Sequence, residues 1–253
     1  MENLFEVFCP INFQYLGVSF FNAYDCEKAI ECSTKKIKGL LPKPKRICRF
    51  CNSKYGEVFF KKDAHVISKL LGNKYLVSDF ECDNCNQLFS EYESHLSHFI
   101  GPIRVFQKLY GLEESLKFKS PDKKIIAESF NEYGLQNSLS IYRDNVQDFT
   151  FDFDYEKCVT TIKLIKHSYS PLLVYKSILK MALSCISQDD LKNYQLAYKF
   201  VSTNLLDDKV GGIARILVYS TPLGTGYKKP FAYLYKKRIV QKKFVLICLC
   251  FIL

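Results

Sequence analysis

The sequence Cys48-Arg-Phe-Cys51, with Cys82-Asp-Asn-Cys85 further along the chain, decides the fold of the region around it. Each pair leaves two residues between its cysteines, which lets both sulfurs of one tight turn face the same ion. Two such turns complete the tetrahedral four-sulfur shell that zinc prefers. We therefore expect a structural zinc site formed by Cys48, Cys51, Cys82 and Cys85. The alternative is that two CxxC pairs occur by chance in a cysteine-rich chain.

The cysteine count and the N-terminus indicate the compartment. The chain has eleven cysteines, an odd number, and its first residues, Met1–Glu6, carry no secretory signal. These features favour a reducing, cytoplasmic setting in which the seven other thiols are ordinary side chains. The apolar run 244–253 is shorter than the roughly 20 residues of a membrane-spanning helix, so we expect no membrane partner. A buried terminal strand is the preferred interpretation of this run, and a tail of foreign sequence is the alternative.

Composition favours a globular, basic protein. The 253 residues are 48% hydrophobic, which argues against a disordered chain, and the net charge is +10. Residues 28–62 hold eleven Lys or Arg against Glu31 and Glu57. A basic band beside a zinc unit fits a phosphate backbone, whereas a solvated lysine-rich face is the alternative. Six of the basic residues are predicted to contact nucleic acid: Lys43, Lys45, Arg46, Arg49, Lys61 and Lys62.

Hydrophobic patterns predict two strands and a helix around the cysteine turns. A strand is predicted from Glu57 to Ile67, a loop follows over 68–74, and a second strand covers 75–80. Apolar residues recur at helical spacing from Asn86 until Gly101-Pro102. The predicted class is therefore α+β, with a zinc-stapled ββα unit.

The second half of the chain is predicted to be a mixed α/β domain. Residues 149–155 and 213–219 have strand patterns. Ser170-Pro171 is typical of a helix start, and residues 187–190 resemble a capping box for another helix. We divide the chain into an N-terminal segment and linker (1–42), a zinc-containing domain (43–110) and a C-terminal domain of unknown role (111–253).

The zinc unit resembles the HNH endonucleases, the ββα-metal nucleases, over roughly residues 45–104. Both have two CxxC turns, a histidine near the end of the first strand and an asparagine at the start of the helix. The matching segments are Cys48-Arg-Phe-Cys51, Ala64-His65-Val-Ile-Ser68, Leu71-Gly-Asn73-Lys-Tyr-Leu76 and Glu81-Cys-Asp-Asn-Cys-Asn86. The resemblance implies that 43–110 is a nuclease domain and that the protein is a hydrolase.

The resemblance also implies a role for three residues. His65 would be the general base that takes a proton from the attacking water, Asn73 would tie the loop in place, and Asn86 would help to hold a catalytic divalent ion. Magnesium is the expected ion, and it would stabilise charge on the scissile phosphate. The alternatives are a packed strand histidine at 65 and an ordinary turn residue at 73.

One position departs from the family pattern. HNH enzymes commonly place an aspartate metal ligand immediately before the catalytic histidine, and this chain has Ala64 there. Glu93, two helical turns after Asn86, is the favoured substitute, and Asp63 is another possible ligand.

These observations leave three hypotheses. The first is a metal-dependent endonuclease acting on DNA, or alternatively on RNA. The second is a zinc-dependent nucleic-acid-binding module without catalysis, and the third is an interaction protein that zinc stabilises.

Overall fold

The computed structural model describes residues 19, 22–31, 40–106, 116–132, 135–143, 151–163, 165–203, 231–237 and 247–252. Helices and strands are both present, which confirms the α+β class. The strands are β1 (Tyr24–Glu31), β2 (Ala64–His65), β3 (Val77–Ser78), β4 (Leu116–Lys119), β5 (Ile125–Glu132), β6 (Leu135–Arg143), β7 (Phe151–Asp154), β8 (Val159–Ile162), β9 (Phe231–Lys237) and β10 (Ile247–Ile252). The α-helices are α1 (Asp83–Ile100), α2 (Ile103–Phe106), α3 (Pro171–Cys185) and α4 (Gln195–Ser202).

The named strands form four sheets, and all their pairings are antiparallel. Three-stranded sheets have the orders β1-β9-β10 and β4-β5-β6, and β2-β3 and β7-β8 form two-stranded sheets. The strand predicted in the apolar C-terminal run is confirmed as β10, and the one predicted at 149–155 is confirmed as β7. The strand predicted at 213–219 lies outside the described residues. No helix in the described part of the chain is long and apolar enough to cross a membrane.

The central unit has the predicted order of strand, loop, strand and helix, but its strands are shorter than predicted. The strand predicted from Glu57 to Ile67 is wrong over most of its length, because only Ala64 and His65 pair with β3. The N–H groups of Lys61 and Lys62 instead donate to the Asp83 carboxylate at 3.0 to 3.1 Å. Side-chain acceptors thus replace the partner strand that the alternating pattern predicted.

Helix α1 starts three residues earlier than the apolar pattern indicated. Cys82 is extended and precedes the first turn, so the second cysteine pair spans the start of the helix. Gly101 ends it at φ 56°, a left-handed conformation that glycine adopts without strain, as the Gly101-Pro102 signal predicted.

Helices α3 and α4 occur where they were predicted, but neither of the two predicted capping contacts forms. Pro171 occupies the first turn of α3, as predicted. The side chain of Ser170 makes no capping hydrogen bond. The backbone N–H of Ser170 donates to His95 Nδ1 at 3.0 Å. Ser187 Oγ donates to Asp190 Oδ2 at 2.8 Å, and a 3-10 turn at Leu191–Tyr194 then leads into α4.

One hydrophobic core joins the zinc unit to helices α3 and α4 and to strands β1 and β9. Phe89 and Tyr92 from α1 belong to the same buried cluster as Met181 from α3. Ile30 from β1 and Leu234 from β9 belong to it as well. The division at residues 42 and 110 stays a prediction, and the packing of the described residues crosses both positions.

Candidate metal centre and the strand beside it

The four cysteines of the two CxxC turns converge on one point. Their sulfur atoms all lie within 4.8 Å of one another. The Sγ–Sγ distance is 3.7 Å between Cys48 and Cys85 and 3.8 Å between Cys51 and Cys82. A zinc–sulfur bond of about 2.3 Å in a tetrahedron requires sulfur separations of about 3.8 Å. The quartet therefore fits a structural metal ion such as zinc.

Backbone hydrogen bonds shape the two turns and join them. Asn52, directly after the first pair, has φ 60°, and its N–H donates to the Cys48 carbonyl at 2.8 Å. The second pair is shaped by the start of α1, where Asn86 N–H donates to the Cys82 carbonyl at 2.9 Å. Arg49 N–H donates to the Phe80 carbonyl at 2.8 Å, and Cys82 N–H donates to Cys48 Sγ at 3.5 Å.

The protonation of the thiols shows why a cation suits this site. The contact between the sulfurs of Cys48 and Cys85 lowers the pKa of Cys48 to about 5. The same contact raises the pKa of Cys85, and burial raises the pKa of Cys82 to about 12. Four thiolates this close together would concentrate negative charge, which a positive ion must compensate. A divalent metal with four thiolate ligands supplies that compensation.

Two side-chain contacts hold the His65 segment along α1. At the N-terminal end, the Asp83 carboxylate accepts the N–H groups of residues 61 and 62. Further along, Ser68 Oγ donates to Glu93 Oε2 at 2.7 Å. His65 lies between these contacts in the chain, and Asn86 lies between them on the helix. The two contacts are ten helical residues, or about 15 Å, apart along the axis of α1.

Asn73 holds the loop between β2 and β3. Its side chain is fully buried, and Nδ2 donates to the carbonyls of Ile67 at 2.6 Å and Leu76 at 3.0 Å. Its Oδ1 accepts the N–H groups of Tyr75 at 3.2 Å and Leu76 at 2.9 Å. These bonds join the two ends of the loop that follows His65, which makes Asn73 a structural tie and not a group presented to solvent.

A buried ion pair, which the sequence patterns did not predict, holds the backbone of the strand that carries His65. Lys180 Nζ on α3 lies 3.0 Å from Glu81 Oε2, and both side chains are almost completely buried. The same ammonium donates to the His65 carbonyl at 2.7 Å. Burial raises the pKa of Glu81, and the neighbouring Lys180 ammonium opposes that rise. The sequence feature that could have indicated this ion pair is Lys180, a lysine within the apolar sequence of α3.

The predicted ligands of the catalytic ion are only partly brought together. Ala64 is 1% exposed and offers no oxygen where the family pattern has an aspartate. Glu93 contacts Ser68, and Asp63 is exposed on the segment before β2. Among the described residues, the cysteine quartet is the only set of three or more Cys, His, Asp or Glu side chains placed to hold one ion. The side chains of the described residues thus form no cage of their own for magnesium.

The six predicted nucleic-acid contacts divide into two groups. Lys43, Lys45, Lys61 and Lys62 are exposed. The two arginines make internal contacts instead. Arg46 Nε donates to the Leu41 carbonyl at 2.8 Å. Arg49 stacks 3.7 Å from the Phe80 ring centroid and donates to the Ile186 carbonyl at 3.2 Å. Arg49 thus ties the first cysteine turn to the end of α3.

No protein family matches the chain, and neither a curated protein nor a solved structure matches it.

Proposed function

We propose that the protein is an HNH-type endonuclease that hydrolyses phosphodiester bonds in nucleic acid, with DNA as the expected substrate and His65 as the general base. The observation that carries this proposal is the pair of contacts that hold the His65 segment along α1, the helix that begins between Cys82 and Cys85 of the cysteine quartet and that carries Asn86. A neutral imidazole accepts a proton near pH 7, which suits it to activate water.

The surroundings of His65 support this role because they hold the backbone of its strand. Lys180 binds the His65 carbonyl and Asn73 closes the loop that follows. A catalytic group needs such fixed support to keep its side chain in a productive position. His65 itself is half-buried.

A divalent ion would supply charge stabilisation at the scissile phosphate. Asn86 and Glu93 are the residues that would hold it, with the substrate phosphate and water completing the shell. Magnesium is usually bound in this way, by one or two protein groups and not by a full protein cage. The four cysteines belong to the structural centre and take no part in the reaction.

The second candidate is a nucleic-acid-binding module that does not hydrolyse its ligand. The buried Ala64 favours it, because the side chain that would bind the catalytic ion in the family is replaced by a methyl group. The exposed lysines beside the first cysteine turn serve either function equally well.

Divalent-dependent nicking of supercoiled plasmid by the full chain distinguishes the two candidates. We expect nicking that needs magnesium or manganese and falls at least about 100-fold in His65→Ala, the loss typical of a general base. His167→Ala is the matched control, because His167 lies outside this site, where its Nε2 donates to the Lys119 carbonyl at 3.1 Å. Zinc content is measured for each variant.

Equal nicking by wild type and His65→Ala would contradict the assignment of the base. Binding of nucleic acid with strong salt dependence, but without cleavage under any divalent ion, would support the binding module instead.

A further inference from the structure

We propose that the surface beside the first cysteine turn binds unpaired bases, so that the stretch of nucleic acid in contact with this surface is single-stranded. This inference rests on the proposed function in one respect, that the partner is nucleic acid. The surface consists of three exposed apolar side chains, Ile47, Tyr55 and Phe59, and of five exposed lysines: Lys43, Lys45, Lys54, Lys61 and Lys62. We call it the aromatic–lysine surface.

The large apolar side chains on this surface are exposed despite a well-filled core nearby. Phe59 is 61% exposed, Ile47 52% and Tyr55 47%, whereas the next residue after Phe59, Phe60, is 1% exposed. Exposed aromatic rings offer flat apolar faces to a ligand. Unpaired bases stack on such faces whatever their sequence.

The backbone that carries these side chains is fixed to the metal centre. Ile47 is bridged to Lys54 across the first cysteine turn, and Tyr55 N–H donates to the Arg46 carbonyl at 3.1 Å. The Phe59 carbonyl accepts the N–H of Asp83 at 2.8 Å, at the start of α1. The platform is therefore held in place before a ligand arrives, which reduces the ordering cost of binding.

The charge around the rings complements a phosphate backbone. Lys61 Nζ lies over one face of the Phe59 ring, 4.3 Å from its centroid, which leaves the opposite face for a base and keeps a cation next to the ring. Glu57 and Asp63 are the acidic residues of the same stretch, and the Glu57 carboxylate accepts the Lys54 N–H at 2.9 Å. The Asp83 carboxylate, which accepts the N–H groups of Lys61 and Lys62, adds a third negative charge. Five lysines against these three carboxylates leave the surface positive.

The combination favours a single strand over a duplex. Bases in a duplex are stacked on each other and present only their edges, so exposed aromatic faces gain nothing from them. A purely electrostatic duplex contact needs lysines alone. A surface that combines cations with ring faces suits a single strand, because the phosphates and the bases of a single strand are both accessible.

Fluorescence anisotropy with a labelled mixed-sequence DNA oligonucleotide tests the inference on the full zinc-loaded chain. We expect tighter binding to the single strand than to its duplex. The double variant Tyr55→Ala, Phe59→Ala should lose about tenfold or more in affinity for the single strand, and its salt dependence should be unchanged. Lys61→Ala, Lys62→Ala should lower the affinity for both forms and flatten the salt dependence.

Tyr155→Ala is the matched control, because Tyr155 is 83% exposed on the distant turn between β7 and β8. Its affinity should equal that of the wild type. Since Tyr55 and Phe59 face solvent, the aromatic variants are expected to fold, and their zinc content checks this. The conservative variant Phe59→Tyr should retain binding.

Two results would overturn the inference, and they differ in what they say about the proposed function. Equal affinity for both forms, insensitive to the aromatic variants, would overturn the stacking role and leave a nuclease acting on duplex DNA in place. The absence of both binding and cleavage for every nucleic acid would overturn the inference and the proposed function together.

Discussion

Asn73 uses its side chain entirely on the backbone of the loop between β2 and β3. It is fully buried, and its four hydrogen bonds replace the ladder that a longer hairpin would have formed. A buried polar group is tolerated when each of its donors and acceptors is satisfied, and here both ends of the amide are. The loop that follows His65 thus depends on a single residue.

Asn73→Ala is expected to destabilise the zinc-loaded protein by roughly 2–4 kcal/mol, because buried carbonyls and N–H groups lose their partners. Asn73→Asp is the matched control, since a carboxylate keeps the two acceptor bonds to the N–H groups of Tyr75 and Leu76 and loses only the donor bonds. Urea denaturation measures both. A loss below about 0.5 kcal/mol for the alanine variant would contradict this account of the loop.

At the level of single residues, the sequence located the candidate site but not the job of each side chain. The spacing and the residue type identified the four cysteines, since two cysteine pairs with two residues inside each pair are typical of a zinc site. Asn73 fitted a turn residue as well as a loop tie, and its contacts alone separate the two. Arg49 was predicted to face a phosphate, yet its guanidinium stacks on Phe80, because proximity in sequence says nothing about where a long side chain ends.

Helix α3 acts on the candidate site through one buried cation. Lys180 reaches from α3 to the His65 carbonyl and to Glu81, the residue before the second cysteine pair. Ser68 N–H also lies 3.3 Å from Met181 Sδ on the same helix. The element that carries the candidate base is therefore held between α1 and α3.

Lys180→Met is expected to cost about 3–5 kcal/mol, because it leaves the Glu81 carboxylate buried without its counter-ion. The double variant Lys180→Met, Glu81→Leu removes both charges, and we expect it to recover most of that loss. Thermal and urea denaturation of the two variants measures the difference. Equal destabilisation of the single and double variants would show that the charge pairing does not matter.

The elements themselves could be predicted where local signals decide them. The start of α3 at Pro171 and the end of α1 at Gly101 follow from proline and glycine geometry. The strands of the central hairpin could not, because their N–H groups go to the side chains of Asp83 and Asn73. Hydrophobic periodicity indicates which face of a helix or strand is apolar, but it does not indicate which acceptor each backbone N–H group binds.

At the scale of the whole molecule, the zinc unit and the distant segments share one core. Ile30, Phe89, Met181 and Leu234 belong to a single buried cluster, although they are far apart in the sequence. A division into independent segments was a natural prediction from linkers and composition, since sequence patterns do not report which distant apolar faces meet. Loss of the metal ion should therefore destabilise parts of the chain well beyond residues 43–110.

The metal content of the purified protein tests the central claim most directly, because the position of α1, the His65 strand and the aromatic–lysine surface all depend on the four-cysteine centre. Elemental analysis with X-ray absorption at the zinc edge is expected to find one zinc per chain with four sulfur ligands at about 2.3 Å. Removal of that zinc with a strong chelator should unfold the protein cooperatively. A zinc shell that contains nitrogen or oxygen, or a protein without metal whose stability a chelator leaves unchanged, would contradict the account.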